Sequence, residues 1–67
     1  MTIEKQKITE EDVFDAFPTE VVIATFAPRK LIYDLFAAEF ELWINGESVW
    51  RGVSRKTAVH KFNEHAA

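Results

Sequence analysis

Residues 40–53, FELWINGESVWRGV, decide how this chain is read. Asn45-Gly46 sits between two apolar runs, and both residues tolerate the positive φ of a type I′ turn, so the stretch reads as a β-hairpin. It carries two tryptophans and more large apolar residues than one buried face accommodates. Two registers compete. A two-residue loop pairs Leu42 with Val49 and sets Trp43 diagonal to Trp50, opposite the face of Phe40, Leu42 and Ile44. A three-residue loop pairs Glu41 with Arg51 and Trp43 with Val49, and moves Trp50 to the Phe40 face. A one-residue slip exchanges the faces of a strand, so the choice between registers stays open at the level of sequence.

On the C-terminal side, Ser54 has the character of an N-cap, with Val53 and Ala58 spaced as a hydrophobic staple. Ala58, Val59, Phe62 and Ala66 then form the buried side of a helix whose exposed side carries Lys56, His60 and Glu64. On the N-terminal side, Thr9 opens another helix, with Asp12 at its third position, Ile8 and Val13 as a staple, and acids at the positive end of the dipole. Val13, Phe14 and Phe17 share a face before Pro18 stops it. The VVIATF run over residues 21–26 reads as a buried strand from its β-branched content, with a short buried helix as the competing assignment. Pro28 suits the first position of a further helix, in which Leu31, Ile32, Leu35, Phe36 and Ala38 form a stripe and Arg29, Lys30, Tyr33 and Asp34 face away. The resulting expectation is a small α+β domain of order α-β-α-β-β-α, ending in a β-hairpin and a helix. A helical first half before the hairpin and helix is the alternative. Residues 1–8 read as a flexible or extended N-terminus and 9–67 as a single domain.

At 67 residues the chain supports at most one domain. A core of that size leaves about 3–5 kcal/mol of net stability unless something supplements it. There is no cysteine, which excludes disulfides and thiolate metal sites. Oligomerisation is the remaining supplement, and a homodimer is expected. Hydrophobic residues at 48% and charged residues at 28% describe a globular chain. The apolar runs are too short to span a membrane, and the acid-rich start lacks a secretion signal, so a cytoplasmic protein without membrane contact is expected. The net charge of −3 is unevenly spread. Residues 1–27 hold six acids and two bases, residues 28–47 four and two, and residues 48–67 four bases and one acid. Such a dipole favours oriented association over a uniform nucleic-acid surface.

Catalytic and metal chemistry find little support. No cofactor is expected. His60 and Glu64, four residues apart, read as a surface pair, since a zinc site needs at least three protein ligands. His65 borders the apolar stripe and reads as packing. The cluster Glu10, Glu11, Asp12 and Asp15 is explained by capping and dipole compensation. Arg55 and Lys56 break a local rule, because cations in the first turn of a helix cost about 0.3–1 kcal/mol each. They either mark an anion or partner site at the helix start or pair with Glu47 or Glu20.

The segment FELWINGESVWRGVSRKTAVHKFNEHAA resembles the second half of a double-stranded-RNA-binding domain. That family follows a strand pair with a helix opening in a Gly-x-Ser-Lys-Lys-x-Ala-Lys-like run. Gly52, Ser54, Arg55, Lys56 and Ala58 match it, whereas Val59 stands at the last basic position and the first half lacks the family's first strand and groove-reaching loop. The resemblance implies phosphate contacts by Arg55 and Lys56.

The reading favoured by the residues is a small non-enzymatic protein-interaction module. Its size suits a regulator, adaptor or inhibitor from a compact microbial or phage-like genome. Trp43 and Trp50 are the expected apolar anchors, with Tyr33 as an addition, because tryptophan is enriched at interface hot spots. Arg51, Arg55, Lys56 and Lys61 form a basic rim toward an acidic protein partner. Nucleic-acid binding through the C-terminal helix is the second expectation.

Overall fold

Asn45 and Gly46 both adopt left-handed backbone conformations (φ 53° and 78°) in the computed structural model, which describes residues 2–16 and 21–66. The turn joins β3 (Glu39–Ile44) to β4 (Glu47–Gly52). Both competing registers are present. Ile44 faces Glu47 and Trp43 faces Ser48, as a two-residue loop requires; beyond a bulge that leaves Val49 without its own partner, Leu42 faces Trp50, Glu41 faces Arg51 and Phe40 faces Gly52. A bulge inserts one residue and so exchanges the faces of everything after it. Trp50 thereby joins the face of Phe40 and Leu42, while Trp43 stays on the other.

Two further strands complete an antiparallel meander. β1 (Val22–Phe26) and β2 (Arg29–Asp34) are joined through Ala27 and Pro28, and the sheet order is β1-β2-β3-β4. The strand expected over residues 21–26 is therefore present, and the domain is α+β with a C-terminal hairpin and helix. The helix expected from Pro28 is not: the order is α-β-β-β-β-α. Pro28 serves a tight turn here. Arg29, Leu31 and Tyr33 alternate with Lys30, Ile32 and Asp34, and the strand pairs on both sides, which suits Ile32 and Tyr33 better than a helix does. Leu35 and Phe36, counted as part of a helical stripe, belong to the β2–β3 turn.

The outer edge of β1 is covered by the N-terminal segment. Ile3 donates to the Ile23 carbonyl at 2.9 Å and accepts from the Thr25 amide at 2.8 Å in a parallel bridge. Among the described residues no strand pairs with the outer edge of β4, where the bulge and Arg51 act against edge-to-edge pairing.

Helices α1 (Glu10–Ala16) and α2 (Arg55–Glu64) pack on one face of the sheet. Each starts as its sequence indicates. The Asp12 amide donates to Thr9 Oγ1 at 3.1 Å while Asp12 Oδ2 accepts from the Thr9 amide at 3.0 Å, and Ser54 Oγ accepts from the Thr57 amide at 3.2 Å. The helix end expected at Phe17 and Pro18 lies outside the described residues. Phe62, Ile23, Leu31, Leu42 and Val13 are fully buried between the layers.

Polar ties fix the helices at one end of the sheet. The buried Arg29 side chain donates from Nη1 to the Phe62 carbonyl at 2.7 Å, with its guanidinium 4.2 Å from the Phe62 ring centroid and 5.6 Å from that of Phe26. That carbonyl lies in the last turn of α2, where it has no intrahelical partner and where a cation suits the dipole. Burial lowers the Arg29 pKa, yet a guanidinium stays charged at neutral pH. Beside it, the Asn63 side chain accepts from the Ile8 amide and donates to the Ile8 carbonyl, both at 2.8 Å, and joins the end of α2 to the start of α1. Arg29→Ala is expected to cost about 2–4 kcal/mol by urea denaturation, since it strands a buried carbonyl and removes a cation–π contact.

Candidate functional site

The structure separates the residues singled out as a partner site. Trp43 lies half-buried on the open face of the sheet, between Lys30 and Ser48 in register, and its buried Nε1 has no acceptor among the described residues. Trp50 is half-buried against the core on the helix side, with its ring over Gly52. Tyr33 is on the same side, edge-to-face with Phe40 at 5.1 Å. The two tryptophans therefore share no face. Arg51 is on the open face, Arg55 and Lys56 open α2, and Lys61 lies further along that helix, 3.9 Å from Glu64. The Arg55 guanidinium stands 5.3 Å from the centroid of the Phe14 ring, a contact that offsets its position in the first turn. Glu47, one proposed partner of Arg55 and Lys56, is at the opposite end of the sheet; Glu20 lies outside the described residues.

What the structure does bring together is an apolar end. β1 enters beside Tyr33, whose amide donates to the Val21 carbonyl at 2.8 Å; β2 leaves and β3 enters through the turn of residues 35–38; and β4 leaves for α2. Phe36 is fully exposed there at 103%, Leu35 is 65% exposed and Val53 75%, with Phe14 and Val21 exposed as well. Val53, expected to staple against Ala58, is thus left mostly in solvent. Isolated exposed apolar residues are ordinary, whereas these lie at one end of the sheet, with Phe26 and Val49 the other exposed large apolar residues among those described. The tip was hidden in the sequence because its turn contains no Gly, Pro or Asn, and Ala38 takes the left-handed conformation (φ 55°) that glycine ordinarily supplies. The available signal was Asp34, a favoured residue at the start of such a turn.

Asp34 organises this tip. Its Oδ1 accepts from the Phe36 amide at 3.0 Å and the Ala37 amide at 3.2 Å, while Oδ2 accepts from Arg51 Nη2 at 2.6 Å. Arg51 also lies 3.7 Å from Glu39 and 3.9 Å from Glu41. The Ala37 and Phe36 amides and Arg51 hold the Asp34 carboxyl below its ordinary value, against the opposing effect of desolvation. The tip therefore has a basic flank toward α2, from Arg55 and Lys56, and a net acidic flank toward the open face, where, among the described residues, Asp34, Glu39 and Glu41 surround the single cation Arg51.

A cleft of about 390 Å³ lies elsewhere, between the N-terminal segment and α1, lined in part by Ile3, Lys5, Asp12 and Asp15. Lys5 closes onto Asp12 at 3.2 Å across it. Among the described residues no group of three His, Asp or Glu is placed to hold a metal ion, and no helix is long and apolar enough to cross a membrane. No family model, curated protein or solved structure matches the chain.

Two outcomes follow from this geometry. A methyl group added at Gly52 would stand 2.5 Å from Trp50 Cζ2, so Gly52→Ala is expected to cost about 1–3 kcal/mol and to shift tryptophan fluorescence. Asp34 has a folded pKa below its unfolded value, so its contribution is present at neutral pH. It is lost as pH falls through the ordinary value of 3.8 and toward the lower folded value. In thermal melts the wild-type midpoint should fall across that range more steeply than that of Asp34→Asn.

Proposed function

We propose that this protein is a small non-enzymatic interaction module that binds a protein partner through the end of the sheet where the β2–β3 turn meets the junction of β4 and α2. In this reading it is a regulator, adaptor or inhibitor acting in the cytoplasm. The observation that carries the proposal is Phe36, an aromatic side chain wholly in solvent on a turn held by Asp34, with Leu35 next to it in the chain and Val53 exposed at the same end of the sheet. Aromatic anchors of this kind dominate interface energetics.

The charges around the tip favour protein over other polymers. Arg55 and Lys56 suit a carboxylate-bearing surface, in line with the acidic partner expected from sequence. Asp34 and Glu39 on the other flank would repel the phosphates of nucleic acid or the headgroups of anionic lipid. Self-association through the same end, the homodimer expected from sequence, is the other outcome, since a two-fold axis can set Arg55 and Lys56 of one copy against Asp34 and Glu39 of the other. Light scattering measures that directly.

Positional photo-crosslinking in native-host extract tests the proposal. A photoreactive side chain at position 36 should capture a protein that the same group at position 43 or 49 does not, and Lys56→Glu should reduce the yield. With the captured partner purified, Phe36→Ser should weaken binding roughly 30-fold, or about 2 kcal/mol. Micromolar, steeply salt-dependent binding of duplex RNA that is lost with Lys56→Glu would favour the nucleic-acid reading instead.

A further inference from the structure

We infer that the β2–β3 turn is a pre-organised plug: Phe36 enters an apolar pocket of the protein partner, and Asp34 and Arg51 are positioning residues that fix it before contact. This rests on the reading that this end of the sheet binds protein. The turn sequence Leu35-Phe36-Ala37-Ala38 has none of the residues that ordinarily stiffen a loop. Its order comes from outside those residues. One Asp34 oxygen receives two successive turn amides, and the other is held at 2.6 Å by an arginine from β4, two strands away in the sheet order. Ala38 is kept in a left-handed conformation that an alanine adopts only when its surroundings impose it.

Such an arrangement restricts the backbone around a side chain that is itself fully exposed. Nothing in the fold requires Phe36 to be ordered, because its ring buries no surface in this chain. Fixing the backbone beforehand lowers the ordering cost that binding would otherwise carry. The flanks specify the pocket further. Its rim should offer carboxylates on the side facing Arg55 and Lys56, and a donor or cation on the side facing Glu39. The phosphates of a nucleic-acid backbone or an anionic membrane would suit only the first of these.

Backbone relaxation of the free protein and crosslinking from a photoreactive group at Val53 test the inference together. In Asp34→Ala the Phe36 and Ala37 amides should fall from order parameters of about 0.85 to below about 0.6, while the helices stay unchanged. The Val53 crosslink in native-host extract should then weaken several-fold. Asp34→Asn, which retains an amide acceptor, should restore most of the order. Phe36→Ser should keep the order and lose the crosslink. Turn amides that are already mobile in the wild type, or rigid in Asp34→Ala, would overturn the pre-organisation by Asp34 whatever the protein binds. A Val53 crosslink that survives Phe36→Ser at full yield would overturn the plug. Without any wild-type crosslink to protein, the binding reading itself falls and the plug with it. Phe36-dependent sedimentation with phosphatidylcholine vesicles containing phosphatidylserine would reassign the tip to a lipid surface.

Discussion

The fold depends on how two helices are fastened to one face of a four-stranded meander. Both ties lie at the same end. Arg29 leaves the first position of β2, passes between Phe26 and Phe62, and takes up a carbonyl that α2 cannot satisfy itself. Asn63, next along the helix, completes the backbone hydrogen bonds of Ile8 just before α1 begins. A buried arginine is costly unless its donors are used, and here one use also terminates a helix. Because the chain meanders, everything fastened at this end leaves the other end to turns and junctions.

That second end is where most of the exposed large apolar residues of the described surface lie. Its apolar residues do not come from one segment. They come from α1, the entry to β1, the β2–β3 turn and the exit of β4, brought together by topology. The hairpin contributes in a different way from its appearance. The Val49 bulge sends Trp50 to the core and leaves Trp43 alone on the open face, so the tryptophans stabilise two sides of a thin sheet. Arg51 sits just past the bulge, where it reaches Asp34 across the sheet. The hairpin therefore acts on the proposed contact end mainly by holding its turn.

Local signals were legible wherever backbone chemistry was explicit. Asn45-Gly46 and the Thr9 and Ser54 caps each have one strong physical meaning, whereas the β-branched run before Phe26 favours a strand with a short buried helix as its competitor. The register has no single meaning, because each candidate register was correct on one side of the bulge, and nothing in the letters marks Val49 as the inserted residue. β2 reads as a helix for a related reason. Burying Arg29 breaks the apolar alternation a strand should show, Pro28 suits a turn as well as a helix start, and Leu35 and Phe36 extend a stripe that exists only on paper. In the candidate site, Arg55 and Lys56 stood out because they oppose the helix dipole. Phe36 was invisible, since an exposed aromatic looks like a buried one until the turn is known.

In the proposed reading, contact is made at the Phe36 end and not through the hairpin tryptophans. Amide hydrogen exchange on the free protein and on its complex isolated from the native host tests this most directly. New protection is expected at residues 34–38 and 53–56, with the β3–β4 turn exchanging as before. Protection centred on Trp43 and the open face, with the 34–38 turn unchanged, would contradict it.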